Sequence, residues 1–262
     1  MYEEKPYDFV GFPAKPPQRE EGVGQDRIRS NLLTGTLTLT MQTMTPVHVG
    51  SGYSDFVKAG NQEYLAALQA SKKVCEPDAI RRRYLIPGSS IKGAVRSIVE
   101  AITYSCVRVT QGRNRSFLPQ GYGGCIQPDE LCPACRLFGA QDYQGHLSFE
   151  DAIAPKGSLV LIGTPLLWTP ARSGRGLPPR YLEEGQAKGR KFYRMPKMPQ
   201  GLTHALVSKQ AQNCRCASIL PILPRPSWAC CLLRLVCTTN IHSPSSWAAA
   251  NPWGWAQFES NP

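Results

Sequence analysis

The chain has 262 residues, 30 basic and 19 acidic, with a formal charge of +11. Its 42% hydrophobic content, with 23 Gly and 23 Pro, is that of a globular chain long enough to bury a core, one domain with extensions. No apolar run of about 18 residues occurs and the start, Tyr2-Glu3-Glu4-Lys5, is polar. This excludes a membrane span and a secretory signal and leads to the expectation of a cytoplasmic protein, while the basic excess points to nucleic acid as partner.

Residues 1–34 carry Pro6, Pro13, Pro16 and Pro17 among charges and read as an extended arm. From Gly35, the alternation Thr36-Leu37-Thr38-Leu39-Thr40-Met41 predicts a half-buried strand that ends near Pro46 and Gly50. Asn61–Ala70 reads as a short helix, Arg81-Arg82-Arg83 as a basic cluster, and Tyr84-Leu85-Ile86 as a short strand closed by Pro87-Gly88. Ser89 or Ser90 is then expected to cap a helix whose buried face is Ile91, Val95, Ile98, Val99 and Ile102, with Lys92 and Arg96 on another face. A loop over Gly112–Gly124, a cysteine-rich turn, a strand near His146–Glu150 and an apolar strand across Ser158–Leu167 follow. The order fits an α+β sandwich with helices on one face of an antiparallel sheet.

Two stretches carry the clearest chemistry. The Gly88-Ser89-Ser90 turn opening a helix presents backbone N–H groups at the positive end of a helix dipole, a phosphate-binding arrangement with Lys92 in the first turn. Cys132-Pro133-Ala134-Cys135 with Cys125 upstream supplies three thiolates for a tetrahedral zinc, the fourth ligand being Cys106 or His146. His48 stands at a strand end before glycines, and Asp55 lies in the glycine-bounded loop Ser51–Gly60, where it can bind a metal or polarise a hydroxyl. No Walker loop, HExxH, Rossmann fingerprint or Ser/His/Asp order is present.

Six segments, in order, resemble one family: Pro6-Tyr7-Asp8-Phe9-Val10, Thr45-Pro46-Val47-His48-Val49-Gly50, Ile86 to Gly93, Cys132 to Gly139, Gly145 to Ala152, and Gly189-Arg190-Lys191-Phe192-Tyr193. This is similar to the RAMP superfamily of CRISPR-associated proteins, specifically the crRNA-binding backbone subunits of type III effector complexes, over roughly residues 5–207. The resemblance implies a ferredoxin-like, RRM-like antiparallel sheet with helices on one face and inserted loops, over residues 35–208. It implies binding of crRNA and target RNA, assembly with other RAMP subunits in antiviral defence, and a structural zinc. Ser89, Ser90, Lys92 and Arg96 are then expected to face the RNA backbone, and His48, Arg190 and Lys191 complete the expected RNA-binding set. In related subunits an Asp after the first strand cleaves target RNA with a divalent metal; Asp55 is the matching position, although Gly52-Tyr53-Ser54-Asp55-Phe56 departs from the usual pattern. The alternative is a stand-alone endoribonuclease that processes guide precursors, with His48 as its candidate general base.

Residues 209–262 differ from the rest. They hold five of the ten cysteines, four of the five tryptophans and a single acid, Glu259, without any helical or alternating period. The family ends in a glycine-rich loop that this segment lacks. Reading Ala250–Glu259 from the third base of each codon forces glycine after Trp253 and again after Trp255, and permits Lys-Pro-Leu-Gly-Leu-Gly-Ser-Val-Arg, similar to that missing ending. A frameshift near residues 207–214 is therefore expected, with the tail disordered or non-native.

Overall fold

The structure, a computed structural model, describes residues 7–27, 30, 32, 35–41, 43, 45–108, 112–164, 178–193, 203–208 and 212–218. The first strands are β1 (Tyr7–Val10) and β2 (Gly35–Met41), the latter where the Thr/Leu alternation predicts it. A hairpin follows from β3 (Gly50–Ala59) and β4 (Gln62–Gln69), joined through Gly60 at φ 61°. Next come β5 (Ser71–Cys75) and β6 (Ile80–Ile86), then helix α1 (Gly88–Ile102). Beyond it lie helix α2 (Pro133–Phe138), β7 (Gly139–Ala140), β8 (Tyr143–Gln144), β9 (Ala152–Ile153) and β10 (Leu159–Thr164). The described chain closes with β11 (Leu182–Glu183), β12 (Gln186–Ala187), β13 (Arg190–Tyr193), β14 (Thr203–Ser208) and β15 (Gln212–Ser218).

The architecture is mixed α and β, with antiparallel pairing dominant and few helices. The strands form several small sheets: β10-β14-β4-β3, β5-β6-β9, β15-β2, β1-β13 and two short hairpins. The β4–β14 contact is parallel; the other strand pairs are antiparallel. Buried Gln69 ties three segments together, accepting the Val49 N–H at 2.9 Å and donating to the Leu85 carbonyl at 2.9 Å. Helix α1 rests its Ile91 on the small cluster of Ile86 and Ala152 with Leu39 and Met41 of β2, and its buried Val99 enters the cysteine core.

Several expectations are corrected. Gln62–Gln69 is a strand, not a helix: its Glu, Leu, Ala and Gln residues favour helix locally, but β3 on one side and β14 on the other satisfy its backbone as a ladder. Neither Ser89 nor Ser90 caps α1. The N-cap is Pro87, whose carbonyl accepts from the N–H groups of Ser90 and Ile91, and the Gly88 N–H donates to Asp151 Oδ1 at 2.9 Å. That contact requires glycine, since a Cβ at position 88 would lie 2.1 Å from the Phe149 carbonyl oxygen. The strand expected at His146–Glu150 is irregular chain, because His146 and Leu147 both donate backward to the Leu137 carbonyl. The Tyr84–Ile86 strand begins earlier, at Ile80, and takes in the Arg81–Arg83 cluster, which is drawn into the ladder by pairing with β5. A 3-10 turn at Gly112–Phe117 interrupts the expected loop. The strand expected across Ser158–Leu167 is described for Leu159–Thr164, and residues 165–167 lie outside the described residues.

The N-terminal segment is docked on the body. Glu20 and Leu131 form a bridge, Arg19 donates to the carbonyls of Gly121 and Gly123, and the Tyr122 hydroxyl donates to those of Pro13 and Lys15. Within residues 209–262, Gln212–Ser218 pairs along the whole of β2, Cys214 opposite Leu39. Residues 219–262 lie outside the described residues.

Candidate metal centre and nucleic-acid-facing residues

Four cysteines converge from three separate segments. Cys106 follows the end of α1, where Thr103 closes the helix through its N–H and hydroxyl to the Val99 carbonyl. Cys125 ends the glycine-rich turn Gly121–Gly124, Cys132 is the N-cap of α2 and Cys135 lies within it, after Pro133 at the first helical position. Buried Ser105 fixes the two halves by accepting the Ala134 N–H at 3.1 Å. All four thiols are buried, and their sulfurs lie within 4.8 Å of one another.

The spacing decides what this arrangement can do. Cys106 Sγ lies 3.6, 3.8 and 3.5 Å from the sulfurs of Cys135, Cys125 and Cys132. A disulfide needs about 2.05 Å. Four sulfurs at about 2.3 Å from one tetrahedral ion stand about 3.8 Å apart. The four side chains fit a metal ion.

Donors surround the sulfurs as they surround ligated thiolates. The Cys106 N–H points to Cys132 Sγ at 3.4 Å, the Cys132 N–H to Cys125 Sγ at 3.3 Å, and the Arg96 guanidinium to Cys135 Sγ at 3.4 Å. Hydrogen bonds from Cys106 and then Cys125 hold the Cys132 thiol well below the usual thiol range, and the one from Cys106 is the largest of those that lower Cys125 to about 7. The Cys106 thiol is correspondingly pushed up, first by its bond to Cys125.

Two arginines expected to face RNA belong to this centre. Arg96 donates to Glu100 at 2.7 Å and to the Gly139 carbonyl at 3.0 Å, and its side chain is only 17% exposed. Arg190 donates to the Ser105 and Cys106 carbonyls at 2.7 and 3.0 Å and pairs with Glu100 at 3.2 Å. Four thiolates on a divalent ion would leave two negative charges, and two guanidiniums bridged by one carboxylate would offset one of them. Arg96 and Arg190 are half-buried, with the sulfur cluster, Glu100 and nearby carbonyls as their partners. His146 is not the fourth ligand: its Nε2 meets the Tyr143 hydroxyl at 2.7 Å and the Val23 carbonyl at 2.9 Å.

The other expected residues do not share one site with the cysteines. Ser89 and Ser90 are exposed at the start of α1, and Lys92 is half-buried there, its pKa lowered by burial and then by Arg96. The anion position at that helix start is taken in part by Asp151, which also binds Lys72 at 2.8 Å. His48 is exposed just before β3. Asp55 is in strand β3, not a loop: it pairs with Ala66, is exposed, and accepts the Phe56 N–H at 2.8 Å. It joins no group of three or more metal-ligating side chains among the described residues.

Lys191 points away from the cysteines. Its ammonium sits among Tyr7, Tyr181 and Tyr193, 4.3, 5.3 and 4.3 Å from their ring centres. Sequence reading missed the tyrosines, although the placement of Tyr7 and Tyr193 in the Tyr7–Val10 and Gly189–Tyr193 segments, both β-favouring, was a usable signal; Tyr181 lies outside both.

No helix among the described residues is long and apolar enough to cross a membrane. No curated protein matches the chain. The family model of the RAMP superfamily matches residues 40–202, a span that contains the Asp55 hairpin, α1, all four clustered cysteines and Lys191, and the chain belongs to that superfamily.

Proposed function

We propose that the chain is a crRNA-binding backbone subunit of a type III CRISPR effector complex, acting in the cytoplasm in antiviral defence beside other RAMP subunits and target RNA. Membership of the superfamily over residues 40–202 carries this reading, and the +11 charge supports it. A ferredoxin-like core over residues 35–208 is part of it, supported by α1 lying against β2 and by β9 lying between β6 and β15. Ser89, Ser90, Lys92 and His48 are the RNA-backbone contacts we assign, with Lys191 at a separate place.

Zinc is the metal we assign to Cys106, Cys125, Cys132 and Cys135. An all-sulfur tetrahedral donor set suits zinc, and with no open position the role is structural. Bound there, the ion cross-links the end of α1, the glycine turn and α2; the residues around it supply N–H donors and positive charge.

Single-stranded RNA should bind with little sequence preference and with an affinity that falls steeply with salt. Replacing Ser89 and Lys92 with Ala should weaken all sequences alike, read by filter binding across a salt series. Unchanged binding removes the helix start from the RNA surface; absence of any RNA binding removes the reading itself. Stand-alone processing of guide precursors by His48 is the second reading, favoured by its exposed position beside the β3–β4 hairpin. It predicts cleavage of repeat RNA by the purified chain, abolished in His48→Ala. We also assign residues 209–262 to an out-of-frame tail, supported by its composition. Resequencing codons 207–214 tests this, and confirmation of the present reading frame overturns it.

A further inference from the structure

The β1–β13 ribbon has two faces, set by its register. Tyr7 pairs with Tyr193 and Phe9 with Lys191, which places these four side chains together; Val10 and Arg190 point the other way, Arg190 into the cysteine centre. The 3-10 turn Pro179–Tyr181 adds Tyr181, whose ring lies 5.3 Å from Phe9 and 5.7 Å from Tyr7, edge-on. Lys191 donates to the hydroxyls of Tyr181 at 3.1 Å and Tyr193 at 2.6 Å, and Arg180 lies over Tyr7 and Tyr181 at 5.6 and 5.5 Å.

Two properties separate this cluster from an ordinary satellite of the core. Tyr193 is 65% exposed, with the Tyr7 ring at about a right angle to it 6.1 Å away and the Lys191 ammonium 4.3 Å from its ring centre, so much of this ring meets solvent beside a cation. Neither cation is neutralised: among the described residues no ion pair includes Arg180 or Lys191, and the polar partners of Lys191 are uncharged phenols. An exposed flat ring beside unpaired positive charge complements a ligand that is itself flat and anionic. A nucleotide has both parts, a base for the ring and a phosphate for the cations.

We propose that Tyr7, Arg180, Tyr181, Lys191 and Tyr193 form a nucleotide subsite for single-stranded RNA, with one unpaired base stacked on Tyr193 and its phosphate at Lys191 and Arg180. The subsite rests on the RNA-binding reading above and adds to it a place where a base is held out of a helix. A duplex cannot use it, because its bases are already stacked on one another. The subsite is also anchored to the metal centre, since adjacent residues of β13 serve the two: Arg190 inward, Lys191 outward.

The full chain is photo-crosslinked to an oligouridylate carrying 5-iodouridine, and the attached peptide is mapped by mass spectrometry. Affinity for the same oligonucleotide is measured in wild type, Tyr193→Leu and Lys191→Gln. The crosslink is expected in the peptide containing Tyr181 or Tyr193. Tyr193→Leu should weaken single-stranded binding about tenfold, the size of one lost stacking contact, and leave duplex binding unchanged. Lys191→Gln should reduce the salt slope by about one. Salt-dependent RNA binding that persists at wild-type strength in Tyr193→Leu, with crosslinks mapping elsewhere, overturns the subsite and leaves RNA binding standing. No crosslink and no RNA binding by the wild-type chain overturns both. Because Tyr193 is mostly exposed, its substitution spares the core, and a wild-type circular dichroism spectrum verifies this.

Discussion

The cysteine centre and the β3–β4 hairpin are built on opposite terms. Around the cysteines, nine residues are almost wholly buried, and four of them are the cysteines themselves, with Val99, Leu131, Ala134, Phe138 and Leu147 supplying the apolar remainder. Along the hairpin nearly every side chain of β3 is exposed, and Tyr53, Phe56 and Leu65 stand 74%, 68% and 60% in solvent. The first region has polar contacts that span great sequence distance, such as Arg190 to Cys106; the second is held by its own short-range ladder and by β14. A segment rich in Gly, Pro and Cys has too little apolar bulk to fix itself, so buried sulfurs and the charges around them stand in for it. The hairpin needs no such centre because its backbone bonds are local.

That contrast predicts where damage will be felt. The largest effect is expected from Cys135→Ser or from chelation under reducing conditions. Structural zinc contributes about 10–16 kcal/mol, as much as the whole stability of a typical domain, about 5–15 kcal/mol. Elemental analysis should find one zinc per wild-type chain and none in the variant, whose α1–α2 region should open to protease. Cys75→Ser, at an exposed thiol of β5, should change neither quantity. Zinc-free wild-type protein with an intact α1–α2 region would refute the assignment of zinc.

Next in size is Glu100→Gln. It leaves Arg96 and Arg190, with side chains 17% and 11% exposed, facing each other without their shared carboxylate. Breaking a buried pair costs about 3–5 kcal/mol, which urea unfolding resolves easily. A loss below about 1 kcal/mol would mean that the sulfur centre alone holds the two arginines.

Gly88→Ala and Asp151→Asn should cost about 1–3 kcal/mol each, the first by overpacking against the Phe149 carbonyl and the second by turning the charged acceptor of the Gly88 N–H into a neutral one and losing the ion pair with Lys72. The Asp151 carboxyl is held below its ordinary range by Lys72 and then by Gly88. Its contribution is therefore complete above the unfolded value of 3.8 and is lost as pH falls through the lower folded value. The wild-type minus Asp151→Asn difference in unfolding free energy should shrink below that pH; a difference independent of pH would place the effect in packing.

His146 sharpens the comparison at milder pH. Burial holds its imidazole below the ordinary 6.5, with the Val23 carbonyl opposing. The folded chain thus prefers it neutral, its contribution is complete above the unfolded value, and it declines as pH falls through the folded one. Between pH 7.5 and 5.5 the wild type should lose more urea resistance than His146→Gln. The smallest effect is expected on the hairpin, where Lys58→Ala removes an exposed pair with Glu63 and should change stability by less than about 0.5 kcal/mol.

The amino-acid order by itself determined what short-range physics controls. The Thr/Leu alternation of 36–41 is a strand because period two admits one buried face, and the four-residue recurrence of Ile91, Val95 and Val99 is a helix because that spacing also keeps one face. The CxxC pair announced half of a four-cysteine cluster that fits a metal ion, and the ordered motifs announced the RAMP superfamily. Only tertiary structure decided the rest. Cys106 and not His146 completes the sulfur set because the end of α1 returns to α2, a contact between residues 26 to 29 apart that no local pattern encodes. Gln62–Gln69 is a strand because the adjacent β3 and the distant β14 flank it, and the first N–H of α1 is taken by Asp151, 63 residues downstream of Gly88. Arg96 and Arg190 turn inward because the thiols and Glu100 are there to receive them. A charge on a sequence has no side; its partners choose one, and they arrive only when the chain has folded.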